Sequence, residues 1–198
     1  MFYWIFRAIF IIILKLFYRF KVEGLENLPQ KTNFIVVANH ASYLDTLVIG
    51  AAIPKKTYWI ASKNLYCIFW LRWFFRSIDA LPSGSSSDKA ISLLLDNKNI
   101  GLFPEGNISP DGRLGEFRRG AALLAMKTGR PIIPCAILGT HQALPKRAAF
   151  PNFFVPIKVK IGKPKYLLKE FEDTIDEMLL QQGIFKIKNT IQEMIYAG

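Results

Sequence analysis

Histidine and cysteine are scarce in this chain, with two of each among 198 residues. Cys67 and Cys135 both lie in apolar stretches and form no C-x-x-C pair, while His40 and His141 stand far apart. Metal ligands of these types must cluster to hold zinc, so no metal is expected, and two buried thiols in a reducing compartment is the natural account of the cysteines. A serine nucleophile is equally unsupported, because no G-x-S-x-G elbow occurs. Cys67 falls in an apolar helical pattern, where a thiolate is disfavoured. This weighs against a thioesterase or lipase working through either nucleophile. No internal repeat and no nucleic-acid-binding motif appears.

Acidic residues are in short supply too. Fifteen Asp and Glu face 26 Lys and Arg, giving a formal net charge of +11. Such an excess calls for an anionic partner, and with no nucleic-acid motif an acidic membrane surface or a phosphorylated substrate remains. What the chain has in plenty is apolar side chain: 16 phenylalanines and 51% hydrophobic residues exclude disorder and allow a buried core. The length suits one domain.

A long hydrophobic run is also missing. The opening "MFYWIFRAIFIIILKLFYRF" is interrupted by Arg7, Lys15 and Arg19, and its unbroken apolar run is only residues 8–14. A spanning helix needs about 20 mostly apolar residues. On a helix the three cations share a sector of roughly 120°, leaving a wide apolar face suited to lying in a membrane interface. Two other readings stand beside it: a spanning helix with snorkelling cations, or a helix buried within the domain or an oligomer. A secretory signal does not fit, since residues 2–6 carry no positive charge and no A-x-A-like cleavage site follows. The expected organisation is a membrane-interface helix at 1–20 and one domain over 21–198.

Further along, short apolar runs at 33–38, 57–61, 99–103, 130–139 and 155–162 read as strands. Helical patterns occupy 45–52, 63–75, 87–97 and 117–128, the last ending at Gly129 before Arg130-Pro131. The tail, about 170–196, reads as one or two amphipathic helices broken near Gly183. Alternating strands and helices predict an α/β fold with a mostly parallel sheet flanked by helices. Ligands in such sheets sit beyond the carboxyl ends of the strands, which directs attention to "NHASYLD" and "FPEGNIS".

In the first of these, His40 is the side-chain type whose unperturbed pKa of about 6.5 suits general-base work. Asp45, five positions on, can fix its tautomer if His40 sits on the turn and Asp45 in the first helical turn. A purely structural reading also fits: Ser42-x-x-Asp45 resembles a capping box, with His40 a polar loop residue. In the second, Pro104 stops the strand, Glu105 is a carboxylate on a constrained turn, and Gly106 permits close backbone approach. Arg118 and Arg119 then precede a helix rich in small residues whose start can hold a phosphate; a tight turn before a solvated basic helix is the alternative.

Together these segments resemble the glycerolipid acyltransferases of the lysophosphatidic acid acyltransferase type. "NHASYLD" matches their NH-x4-D motif and "FPEG" their second signature. "EFRRGAALLAMKTGRPIIPCAI" matches the basic, small-residue helix and the apolar strand after it. "YWIASKNL" is similar to the segment carrying a family lysine, here Lys63; the likeness covers about residues 22–165. It implies transfer of a fatty acyl group from acyl-CoA or acyl-carrier protein to the free hydroxyl of lysophosphatidic acid, giving phosphatidic acid. His40 is then the general base and Asp45 its orienter, with Glu105, Gly106, Asn107, Lys63, Arg118 and Arg119 toward the acceptor. No cofactor beyond the thioester co-substrate and no metal is implied. The expected location is the cytoplasmic face of an anionic membrane leaflet, peripheral or monotopic.

The chain departs from the family in two places. Ala80 or a serine near Ser85 stands where a phosphate-binding arginine is usual, and Asn107-Ile108-Ser109 replaces the common Thr-Arg-Ser after "FPEG". Arg118, Arg119, Lys63 or Lys89 are the replacements at hand. The alternative is a different acceptor, another lysolipid or a lipid alcohol or amine. A catalytically silent lipid binder is the remaining reading.

Overall fold

The computed structural model describes residues 2–61, 81–82, 87–148, 150–169 and 176–197. Lys63, the helical pattern at 63–75, Cys67, Ala80 and Ser85 lie outside the described residues.

Seven strands form one sheet: β1 (Lys21–Glu23), β2 (Ile35–Ala38), β3 (Thr57–Ala61), β4 (Leu81–Pro82), β5 (Asn99–Leu102), β6 (Ile132–Leu138) and β7 (Lys158–Ile161). Their order is β1-β7-β6-β2-β5-β3-β4. β6, β2, β5, β3 and β4 run parallel, whereas β7 is antiparallel to β6 and carries β1 parallel to itself at the edge. The sheet is therefore mostly parallel, as the alternation of strand and helix patterns predicts.

The helices are α1 (Phe2–Tyr18), α2 (Asp45–Ala52), α3 (Ser87–Leu95), α4 (Gly120–Thr128), the single turn α5 (Thr140–Ala143) and α6 (Glu177–Tyr196). Alternate residues of β2 serve two cores: Val36 and Ala38 pack with residues of α1 and α2, Ile35 and Val37 with residues of α3, α4 and α6. All four β2 side chains are fully buried. A strand covered on both faces reads as a continuous apolar run, which is why "IVVA" shows no alternation.

Three expectations need correction. The C-terminal helix is unbroken through Gly183, because that residue is packed: a Cβ there would lie 2.9 Å from Leu167 and 3.5 Å from Ala122. Its bare backbone lets α6 approach α4 closely. The basic helix starts at Gly120, not 117, leaving Arg118 and Arg119 before it. Arg7 does not share an outward polar sector with Lys15; its Nη2 donates to Ala51 O at 2.9 Å, satisfying a carbonyl at the end of α2. α1 thus turns Leu14 and Tyr18 into the core and leaves Ile5, Ile9, Ile12 and Leu16 exposed. Among the described residues, no helix is long and apolar enough to cross a membrane.

Candidate active site

β2 and β5 are parallel neighbours with Val37 opposite Leu102, so the segments leaving their carboxyl ends lie side by side despite a sequence separation of 65. At the end of β2, Asn39 behaves like an extra rung of sheet. Its Nδ2 donates to Ile137 O at 3.0 Å and its Oδ1 accepts from Ile137 N at 2.7 Å. This anchors the backbone from which His40 departs.

The His40 ring lies against Asp45, with Nδ1 2.9 Å from Oδ2. The same oxygen accepts from Ala41 N at 2.6 Å and Ser42 N at 2.7 Å. An ionised carboxylate only accepts, so Nδ1 is the donor, and in the neutral ring this tautomer leaves the lone pair on Nε2. Asp45 is fully buried, while the His40 side chain keeps 16% of its exposure. His40 and Asp45 therefore combine a rigid inner partner with an outward nitrogen. The capping expectation needs correction: α2 starts at Asp45 with Leu44 as its N-cap and no side-chain cap bond, so Ser42 lies in the turn before it, where its Oγ accepts from Leu44 N at 3.1 Å and donates to Leu144 O at 2.7 Å. Because Asp45 Oδ2 reaches back to Ala41 N and Ser42 N, the turn before α2 pins the carboxylate toward His40.

The other face of the imidazole stacks on Phe103, ring centroids 4.1 Å apart and planes 16° apart, and Phe103 stacks in turn on Trp59 at 5.3 Å. Gly101 makes that possible, since a Cβ there would come within 2.7 Å of the Trp59 indole.

Glu105 ties the two strand ends together. Oε1 accepts from His40 N at 2.8 Å, and Oε2 accepts from Gly115 N at 3.0 Å. Burial pushes its carboxyl above the ordinary value, partly countered by these two N–H donors. Both oxygens thus hold protein backbone directly, and Glu105 shapes the loop 107–116 and the His40 peptide rather than projecting freely. Ser109 N donates to His40 O at 2.8 Å, closing the same loop from its other side.

Gly106 has φ +75°, and a Cβ on it would lie 2.6 Å from the Arg118 guanidinium carbon. Arg118 N donates to Pro104 O at 2.8 Å, so the cation lies across the bare glycine of the turn. Asn107 and Arg119 are exposed, Asn107 following Gly106 and Arg119 at the start of α4; Lys89 is exposed on α3. The turn brings Arg118 to Pro104 and Gly106.

Four participants were not picked out by sequence reasoning. Asn39 precedes His40 and Phe103 precedes Pro104 inside the two quoted motifs, a signal that was available. His141, whose Nδ1 lies 3.3 Å from Ala41 O and whose ring meets the space a Gly112 Cβ would take, had no motif to mark it. The Ser109 amide, a backbone donor, leaves no compositional trace.

Fold and cluster define an α/β protein of largely parallel sheet, with a carboxylate-held histidine where two neighbouring strands end. The chain belongs to the Acyltransferase family, whose model matches residues 19–138. It is 30% identical to a chloroplastic 1-acyl-sn-glycerol-3-phosphate acyltransferase of Brassica napus, over 76% of this chain and 46% of that protein. It is 33% identical to the 1-acyl-sn-glycerol-3-phosphate acyltransferase of Bacillus subtilis, over 60% of this chain and 62% of that protein. The match thus spans less than two thirds of either relative. The crystal structure of the 1-acyl-sn-glycerophosphate acyltransferase PlsC from Thermotoga maritima superposes with a TM-score of 0.70. It is 31% identical, over 88% of this chain and 71% of that one.

Proposed function

We propose that this chain moves a fatty acyl group from acyl-CoA or acyl-carrier protein to the free hydroxyl of lysophosphatidic acid, giving phosphatidic acid. The observation that carries the reading is the His40 Nδ1–Asp45 Oδ2 contact at 2.9 Å, which leaves Nε2 as a base beside the Glu105–Gly106 turn. The names of the relatives supply the substrate class.

In the proposed reaction, Nε2 of His40 removes the acceptor's hydroxyl proton as that oxygen attacks the thioester carbonyl carbon. The C–O bond forms, and the buried Asp45 carboxylate stabilises the imidazolium. Collapse breaks the C–S bond, and the departing sulfur takes the proton back from His40. Neither a protein nucleophile nor a metal enters these steps, and the thioester is a co-substrate. Stacking on Phe103 keeps the ring plane constant as its charge changes.

Arg118 is the cation placed for the acceptor's phosphate, with Asn107 on the same turn; Arg119, Lys63 and Lys89 are further donors. Gly106→Ala tests that placement, because Arg118 and a Cβ compete for one space. The expected result is a several-fold rise in the acceptor's KM with the donor's KM unchanged. An unaltered acceptor KM would release Arg118 from this role.

The reading of location is supported by α1. Its exposed Ile5, Ile9, Ile12 and Leu16 form an apolar stripe suited to the membrane interface. We place the enzyme there, on the cytoplasmic leaflet, where the acceptor resides. A second reading, acylation of another lysolipid, is favoured by Asn107-Ile108-Ser109 in place of the usual arginine-bearing sequence. A panel of lysolipids with a labelled acyl thioester decides between them. Lysophosphatidate should rank first; parity with lysophosphatidylcholine selects the second reading, and turnover of none leaves a lipid binder.

A further inference from the structure

The described residues that follow α5, 145–148 and 150–154, place an unusual set of side chains on the surface. Phe150 is 83% exposed, Phe154 65% and Phe153 53%. Next to them Lys146 and Arg147, both exposed, are presented by a turn in which Ala148 N donates to Pro145 O at 2.9 Å. Three exposed phenylalanines in one short segment form an apolar patch that water alone does not favour.

Asn152 and Phe154 are tied to the body of the protein. Asn152 N donates to Ala143 O at 2.6 Å, and Asn152 Nδ2 donates to Gln142 O at 3.0 Å. Phe154 N donates to Phe17 O at 2.7 Å, joining the segment to the end of α1. Phe17 also meets Phe153 and Phe154 at ring-centroid distances of 5.4 and 6.4 Å. Phe154 has φ +65°, a conformation costly for a side chain of this size. The fold tolerates that strain while leaving the ring in solvent.

We propose that residues 145–148 and 150–154 belong to a second membrane-insertion element, taking an anionic bilayer leaflet as partner: Phe150, Phe153 and Phe154 enter the acyl boundary, and Lys146 and Arg147 meet headgroup phosphates. Two observations choose a lipid surface. The patch packs on Phe17 of α1, the helix that carries the exposed apolar stripe, and its cations match an anionic surface in a chain of net charge +11. It also borders the candidate site. Ser42 Oγ donates to Leu144 O at 2.7 Å, and Lys146 Nζ lies 3.3 Å from Ile108 O in the loop beside Glu105. With both elements inserted, a lysolipid reaches His40 from the bilayer without crossing water. The inference rests on the membrane-bound acceptor described above.

The test is co-sedimentation of the full chain with vesicles of phosphatidylcholine alone or mixed with phosphatidylglycerol. Phe150→Ser with Phe154→Asn, the latter suited to positive φ, is expected to weaken binding to both by about tenfold. Phe150→Leu with Phe154→Leu should bind as the wild type does. Lys146→Gln with Arg147→Gln is expected to lose about thirtyfold on the mixed vesicles and little on the neutral ones. Ile12→Asn with Leu16→Asn probes α1 separately. If that pair lowers binding and the segment variants do not, the second element is refuted while the α1 anchor stands. If the wild type ignores vesicles, the membrane reading fails and takes the proposal with it. If vesicle binding is unchanged but the KM for an acyl-carrier protein donor rises, the patch docks that acidic protein and the proposal is overturned.

Discussion

Replacing His40 with alanine is expected to lower the acyl-transfer rate by about 10²–10⁴-fold, the usual contribution of a positioned general base. The loss should fall on kcat, because the ring's Nε2 acts on the hydroxyl proton in the transition state and adds little to ground-state binding. Folding should survive: the backbone N and O of His40 keep their bonds to Glu105 and Ser109. The measurement is thiol release from acyl-CoA with lysophosphatidate, alongside a thermal melt. Added imidazole should restore part of the rate in the alanine variant by entering the space over Phe103. Turnover equal to the wild type would remove His40 from the mechanism.

Asp45 offers a larger structural effect and a separable chemical one. Asp45→Ala leaves the buried N–H groups of Ala41 and Ser42 without their acceptor. Each loss costs about 1–3 kcal/mol, so a clear fall in melting temperature accompanies the lost activity. Asp45→Asn separates the two. Its amide oxygen can accept from both backbone donors and from His40 Nδ1, and Oδ1, where the amide nitrogen would sit, has no hydrogen-bond partner among the described residues. Fold and tautomer are kept while the negative charge facing the imidazolium is removed. A charged acceptor outdoes a neutral one by about 1–2 kcal/mol, which predicts a drop in kcat of about tenfold or somewhat more. An asparagine variant as fast as the wild type would reduce Asp45 to an anchor for the Ala41 and Ser42 amides.

The central strands were legible because burial on both faces demands uninterrupted apolar residues, and "NFIVVA", "TYWIA" and "RPIIPCAILG" have them. β1 and β4 were not, since "KVE" and "LP" are too short to show a pattern and exist only by pairing with β7 and β3. Gly183 was misread as a break because a glycine in a helical pattern looks alike whether it ends the helix or admits a neighbour. In the site, His40 and Asp45 were legible as a local pair, their spacing matching a turn that enters a helix. Glu105 was legible as a turn carboxylate, but not as the acceptor of His40 N. That bond depends on β2 and β5 being neighbours, a fact about strand order.

By itself the sequence determined the α/β class, the basic charge, the two strand-end motifs and the apolar opening segment. These are properties of composition and short-range periodicity, set by what each residue is and by its near neighbours. Tertiary structure alone decided which apolar surfaces meet protein and which stay outside. It turned Arg7 inward to Ala51, left the stripe of α1 bare, and joined Phe17 to Phe153 and Phe154. It also brought Arg118 across Gly106 and stacked His40 on Phe103 and Trp59. Each of these contacts joins residues set by strand order and helix packing, to which hydropathy along the chain is blind.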